Sequence, residues 1–444
     1  MREKIFFILM LVCISVNAQR ASVRTEKAGT LSKVLTDYQK KNLVSLKISG
    51  PINGTDIRLL QCMLSQKKTP ESIKGKLKQL DLENARIVSG GEESDASIGS
   101  IMDFFLVDDF EEDKTEDLYD LTGVKTEDDI MGYKIFKECQ LESIILPNTL
   151  KEICGEAFSN NENLNYVKIP KTVTNIGLSV FSGCPCLTSI DVDSKSNSFV
   201  SVDGILFSKD RKRLVNYPCG KIGDYVIPDG TEHIYGAFNG CKYITSITIP
   251  KSIEKIEEHD YFDGCKFKTV YIQGATKGAQ YIPCTEKYIV NEDNPDYSTL
   301  DGVLYDKAKK ILLRFPPFCQ ATSTYDTEII GYEAFRDCNS LTSIRIDPPT
   351  REIRRKAFGW CRNLRAIKIP SSVTEIKKDA FHGCDNLSDI YFEGIVPPGQ
   401  HNYRRPNSEV VPFSIDNSKC VLHVPKGSKD SYQKLWPNHT IVEE

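Results

Sequence analysis

A mostly β repeat solenoid, with coils of about 23 residues, is the fold class this 444-residue sequence predicts, and three observations carry it. The chain echoes itself: Phe158, Leu164, Val167 and Ile169 are answered one period later by Phe181, Leu187, Ile190 and Val192. A string of Leu-x-x-Ile-x-Ile-Pro, then Val-x-x-Ile, then Ala-Phe-x-x-Cys covers most of residues 130 to 396. Successive phenylalanines of that string fall 22 to 24 residues apart wherever no insertion intervenes. The period lies in the leucine-rich repeat window, where each coil supplies one strand and a return path.

Each slot has a physical reason. Alternating apolar residues, as at Ile367 and Ile369, place one strand face inward. Pro147, Pro170, Pro250 and Pro370 end the strand, because proline cannot donate to a ladder. The return leg then points Val173, Ile176 and Phe181, or their equivalents, into the same core. One coil cannot bury this face alone, so coils stack. The expected product is a right-handed solenoid with a parallel sheet along one side, at about 4.8 Å per coil.

In chain order, residues 1 to 18 have the layout of a secretory signal: Arg2 and Lys4, an apolar run from Ile5 to Val16, and a small residue, Ala18, ahead of the cut. That run is too short to span a bilayer, which takes about 20 apolar residues. Cys13 lacks the small residue that a lipid-anchor site places before its cysteine, so cleavage after Ala18 is expected ahead of lipidation. Residues 19 to 129 read as a capping region with degenerate repeats and some helix, since "VSLKISGPINGTDIRLL" and "QLDLENAR" keep the strand slots without the Ala-Phe-x-x-Cys leg. The solenoid proper is expected over 130 to 396, with insertions near 193 to 222 and 274 to 326. These resemble each other, Asp203-Gly204 answering Asp301-Gly302, and an Asp-Gly between alternating apolar residues marks a hairpin. Both are expected to project from the side. Residues 397 to 444 predict one further strand, a Lys-Gly turn and a short helix ending near Trp436, as a terminal cap.

Fifteen cysteines in an exported chain raise a disulfide reading, but their positions favour another. Cys139, Cys184, Cys241, Cys265, Cys338, Cys361 and Cys384 each lie three residues after a phenylalanine. Residues fixed in a repeat face their own copies in neighbouring coils, so these are expected as a buried row of reduced thiols. Asn161 takes the same slot, where it would hydrogen-bond a loop carbonyl.

The string Ile-Pro-x-x-Val-x-x-Ile-x-x-x-Ala-Phe-x-x-Cys resembles that of the BspA-like leucine-rich repeats, over roughly residues 40 to 440. The resemblance implies an exported bacterial protein of surface display or secretion, with adhesion to host proteins, other bacteria or glycans, and it implies no catalytic residues. That family usually has glycine before the cysteine, as at Gly183, Gly240, Gly264 and Gly383; Trp360 departs from this.

Charge and motifs narrow the chemistry. With 27% charged residues and a net charge of −4 there is no basic footprint for nucleic acid. The six histidines, 233, 259, 382, 401, 423 and 439, contain no i, i+4 pair of zinc-protease type, and no phosphate loop, nucleophile elbow or Cys-x-x-Cys occurs. The closest cysteine pair, Cys184-Pro-Cys186, is explained by the repeat. Asp191 to Asn197 begins like a calcium loop but has Ser196 at the required glycine and Val202 at the required glutamate. The acidic run from Asp108 to Asp120 reads as a solvated connection. No catalytic, cofactor or metal residues are therefore assigned.

Two candidate partner-binding surfaces remain. Residues between the buried strand positions face outward in stripes, among them Tyr166, Lys168, Thr269, Tyr271, Arg345, Lys368 and Tyr391. A second group gathers Arg354, Arg355, Lys356, Trp360, Arg362 and Arg365 in one coil, where arginines around an exposed tryptophan would suit an acidic protein or a sulfated glycan. Tyr403, Arg404 and Arg405 could extend it. The function classes this leaves are a non-enzymatic adhesin that binds proteins, a glycan-binding surface protein, and a glycan-processing enzyme.

Overall fold

The computed structural model describes residues 19–65, 75–91, 124–257, 262–318, 326–399 and 419–444. The expected signal segment, the acidic run and the Tyr403 to Arg405 group lie outside the described residues. The chain forms two compact units, one of residues 1–221, 233–243 and 261–265, the other of 222–232, 244–260 and 266–444.

The first unit carries a six-stranded parallel sheet, in spatial order Arg20–Arg24, Ser45–Ile52, Gln79–Ile87, Ser143–Ile145, Tyr166–Ile169 and Ile190–Val192. Register is set by the apolar slots: Ile144 lies opposite Val167, and Val167 opposite Ile190, all fully buried. A slip of one residue would turn this row to solvent. The return legs Ile130–Met131, Glu152–Ile153 and Asn175–Ile176 form a second, three-stranded sheet, with the core between. Near the start of the chain, helix Gly54–Leu64 is capped by Asn53, whose side chain accepts from Thr55. The buried carboxylate of Asp56 accepts from the backbone N–H groups of Gly29 (2.6 Å), Leu31 (2.8 Å) and Asn53 (3.1 Å), tying three segments together.

The second unit has a four-stranded parallel sheet of Gly223–Val226, Ile244–Ile249, Phe267–Ile272 and Cys284–Val290, and a five-stranded parallel sheet of Ser343–Arg345, Ala366–Ile369, Asp389–Phe392, Val421–Val424 and Thr440–Glu443. The last of these strands was not expected from sequence. Helix Lys429–Leu435 precedes it, and the buried rings of Tyr432 and Trp436 cover Phe392 at centroid distances of 5.0 and 6.1 Å.

The repeat phenylalanines stack as ladders. Phe136, Phe158 and Phe181 succeed one another at 5.9 and 5.6 Å in the first unit, and Phe315, Phe335, Phe358 and Phe381 at 4.9, 4.8 and 5.5 Å in the second. Beside each ladder runs the expected row of buried thiols. Cys184 donates to the carbonyl of Phe158, Cys265 to Phe238, Cys361 to Phe335 and Cys384 to Phe358, at 3.0 to 3.3 Å, always reaching back one coil. Asn161 fills the slot as anticipated, its amide donating to Phe136 (2.7 Å) and Phe158 (2.8 Å).

The glycine of the repeat also finds its reason. In the coils that carry the Phe-x-x-Cys leg or Asn161 in its place, the residue two after the ladder phenylalanine is left-handed: Glu138, Asn160, Gly183, Gly240, Gly264, Asp337, Trp360 and Gly383 all have φ between 56° and 78°. Glycine accepts this conformation without strain. Trp360 therefore keeps the turn that the family's glycine makes, at the steric cost of a side chain there.

The two insertions are antiparallel meanders, Phe199–Val202, Ile205–Ser208 and Leu214–Asn216 in one, and Tyr297–Leu300, Val303–Asp306 and Ile311–Arg314 in the other. They do not simply project. Leu206, Leu214, Leu304 and Leu312 are fully buried, and Ile311–Arg314 pairs in parallel with the return leg Ile329–Ile330. Each meander ends on a ladder ring, Tyr217 against Phe238 (5.4 Å) and Phe315 against Phe335 (4.9 Å). Apolar residues on both faces of these strands explain the difference, since a freely projecting hairpin would leave them in water.

Candidate partner-binding faces

The strand face of the second unit is built by register. Arg345 lies opposite Lys368, Lys368 opposite Tyr391, and Tyr391 opposite His423, one residue per coil across the parallel sheet. The inward partners of these strands, Ile344, Ile367, Ile390 and Leu422, are buried and hold the row in place. Its charges are locally matched: Arg345 meets Asp347 at 3.2 Å, Lys368 meets Glu393 at 2.9 Å, and the His423 ring lies between Asp389 (2.9 Å) and Glu444 (2.7 Å). Hydrogen bonds from the Ser388 hydroxyl and then from His423 hold the Asp389 carboxyl below its ordinary value. Tyr391 and His423 stack at 4.2 Å, so the row contains a rigid aromatic pair. His423 was missed in the sequence as a binding residue, although "VLHVP" repeats the spacing of "AIKIP" and puts His423 in the Lys368 slot.

Tyr271, also predicted, lies in the four-stranded sheet of the same unit, between Thr248 and Ile289 in register. It is 39% exposed and borders a shallow depression of about 160 Å³ lined by Thr248, Ile272, Gln273, Ile289 and Asn291 as well. Its neighbour Thr269, expected on the same outward stripe, is buried instead. Tyr166 and Lys168 are exposed on strand Tyr166–Ile169 and belong to the first unit.

The second group divides. Arg354 and Arg355 leave the return leg Glu352–Ile353 and meet Glu352 (3.4 Å) and Asp379 (3.6 Å), while Arg362 and Arg365 are exposed nearer the strand Ala366–Ile369. Trp360 is not the exposed platform expected. It is half-buried, with the Arg336 guanidinium 4.5 Å and the Lys356 ammonium 5.0 Å from its ring, the His382 ring edge-on at 5.3 Å, and Gly383 beneath it. The left-handed turn at 360 folds the indole back onto the next coil, and protein cations take the π-face that a sugar would need.

Among the described residues no group of three or more His, Cys, Asp or Glu side chains is arranged to hold a metal, and no helix is long and apolar enough to cross a membrane.

Stacked coils with one parallel strand each, a phenylalanine ladder and a cysteine row define a leucine-rich repeat protein. The model of the BspA type leucine rich repeat region matches six copies over residues 129–210, 214–282 and 319–401, more than half of the chain, and the chain belongs to that family. Among solved structures it is similar to a leucine rich cell surface protein from Faecalibacterium prausnitzii at 26% identity, over 57% of this chain and 54% of that one, with a TM-score of 0.27. It thus spans about half the length of that protein. It is also similar to a leucine-rich repeat protein from Bacteroides ovatus (18% identity, 85% and 88% of the chains, TM-score 0.30) and to the pneumococcal vaccine antigen PcpA (16%, 90% and 79%, TM-score 0.33). Family membership rests on the repeat match, and no curated protein matches the chain.

Proposed function

We propose that this is an exported, non-enzymatic scaffold that binds a macromolecular partner, a protein on a host or bacterial surface, through the strand face of the second unit. The observation that carries this reading is the in-register row Arg345, Lys368, Tyr391 and His423. A parallel sheet fixes these side chains before contact, so little ordering remains to oppose binding. Aromatic and arginine residues within a field of matched charges suit a protein surface. Carboxylates beside the row, Asp347, Glu393 and Asp389, are each engaged by a cation or imidazole, which favours recognition over acid–base catalysis.

The test is surface plasmon resonance of residues 19 to 444 on immobilised matrix proteins and bacterial surface proteins, with a glycan array alongside, at low and moderate salt. The adhesin reading expects a salt-sensitive protein hit that weakens at least about tenfold, or ~1.4 kcal/mol, in Arg345→Glu/Lys368→Glu. An oligosaccharide converted to product would refute the non-enzymatic reading.

The depression at Tyr271 supports a second reading, glycan capture. A half-exposed phenol ring beside the Gln273 and Asn291 amides and the Thr248 hydroxyl offers a stacking face and hydrogen-bonding groups together. That reading expects a glycan hit that survives salt and is lost in Tyr271→Ala.

A further inference from the structure

The cysteine row of the first unit contains one irregular step. In the regular coils the cysteine follows its ladder phenylalanine by three residues, as Cys184 follows Phe181 and Cys241 follows Phe238. In the coil closed by the first meander the ladder ring is Tyr217, and Cys219 follows it by two. Cys219 nevertheless occupies the row: its sulfur lies 3.8 Å from the Phe181 carbonyl, one coil back, as that of Cys241 lies 3.5 Å from the Tyr217 carbonyl. The shortened step moves the Cys219 sulfur toward the next coil, and the Sγ atoms of Cys219 and Cys241 stand 2.9 Å apart. Two unbonded sulfurs prefer a wider separation, and a disulfide needs about 2.05 Å between its sulfurs. Stacked coils about 4.8 Å apart bring backbones to a distance that disulfide geometry accepts, roughly 4.4–6.8 Å between α-carbons.

We propose that Cys219 and Cys241 are a disulfide-forming pair, a covalent staple that joins the meander-bearing coil to its neighbour once the chain meets a disulfide oxidant. Either sulfur can begin, since both are buried and equally close. The thiolate of one cysteine attacks a disulfide oxidant RSSR, forming a mixed disulfide Cys–S–S–R and releasing one RS⁻. The sulfur of the other cysteine, losing its proton, then attacks the first cysteine's sulfur and expels the second RS⁻. Both thiol protons end on two RSH molecules, and the two electrons of the pair pass to the oxidant. Both sulfurs are buried in the folded unit, so exchange takes place during folding or local opening. The inference is independent of what the protein binds.

The test uses the full chain from residue 19, refolded in parallel with oxidised glutathione as the oxidant and with a phosphine reductant, then denatured, alkylated and mapped by mass spectrometry. The expected result is a cross-linked peptide pair containing Cys219 and Cys241, lighter by two hydrogens and present only in the oxidised sample. Its thermal midpoint should lie roughly 5–10 °C above that of the reduced protein. Cys184→Ser should retain the cross-link, and Cys219→Ser or Cys241→Ser should abolish both it and the shift. The proposal is overturned if both cysteines are recovered fully alkylated from folded, oxidised protein, or if Cys219 is found joined to Cys184 or Cys265. Because the wild-type map decides this, a serine variant that fails to fold does not rescue it.

Discussion

The ladder of the second unit makes a quantitative prediction at Phe358. Its ring is fully buried between Phe335 at 4.8 Å and Phe381 at 5.5 Å, near parallel to both. Phe358→Ala removes the ring from a site whose neighbours are fixed by their own coils, so the cavity closes poorly. Loss of a buried phenylalanine costs about 3–5 kcal/mol, and with two stacked neighbours each adding roughly 0.5–1.5 kcal/mol the upper part of that range is expected. Both tryptophans of the chain, Trp360 and Trp436, lie in this unit, so tryptophan fluorescence during urea denaturation reports on it alone. At a slope of about 2 kcal/mol per molar urea the midpoint should fall by roughly 2 M. A loss below about 1.5 kcal/mol, with the slope unchanged, would refute the ladder as the main support of these coils.

Four further outcomes follow from other parts of the molecule. Asp56→Ala orphans the amides of Gly29, Leu31 and Asn53 and should destabilise the first unit by about 3 kcal/mol, read by circular dichroism during denaturation. Gly240→Ala adds a methyl 2.3 Å from the backbone nitrogen of Gly183 at a φ of +78°, so about 2 kcal/mol or more should be lost, measured in the same way. Burial pushes the thiols of Cys139, Cys154 and Cys420 up to about 12 from an ordinary 9.0. A raised folded-state value means that their contribution is complete below pH 9 and is lost as pH rises from 9 toward 12, so urea midpoints should decline over that window. Iodoacetamide at neutral pH should label exposed Cys186 well before buried Cys184, as peptide mapping will show.

The coil was legible because its determinants are local and repeated. Ile367, Ile369, Pro370, Phe381 and Cys384 each recur at a fixed spacing, and stacking demands that they meet their copies. The departures arose where a residue's environment depends on a neighbouring coil. Trp360, expected as an exposed ring among arginines, is returned by a left-handed turn to Gly383, Arg336 and Lys356. The meanders carried a strong hairpin signal at Asp203-Gly204 and Asp301-Gly302, which identifies the turn and says nothing of what covers Leu206 or Leu304. The final strand Thr440–Glu443 is short and exposed on three of its four residues, too weak a pattern to read alone. Of the candidate site, the outward strand residues Arg345, Lys368 and Tyr391 could be named from alternation, whereas their ion pairs with residues beyond the repeat string and the continuation into His423 required the fold.

The most direct test of the binding proposal compares three proteins on the same panel of immobilised matrix and bacterial surface proteins: the wild-type chain, the strand-face variant Arg345→Glu/Lys368→Glu, and the return-turn variant Arg354→Glu/Arg355→Glu. The account predicts that the strand-face variant loses at least about tenfold in affinity while the return-turn variant binds like the wild type. Loss confined to the return-turn variant, or no protein bound by the wild-type chain at either salt concentration, would contradict it.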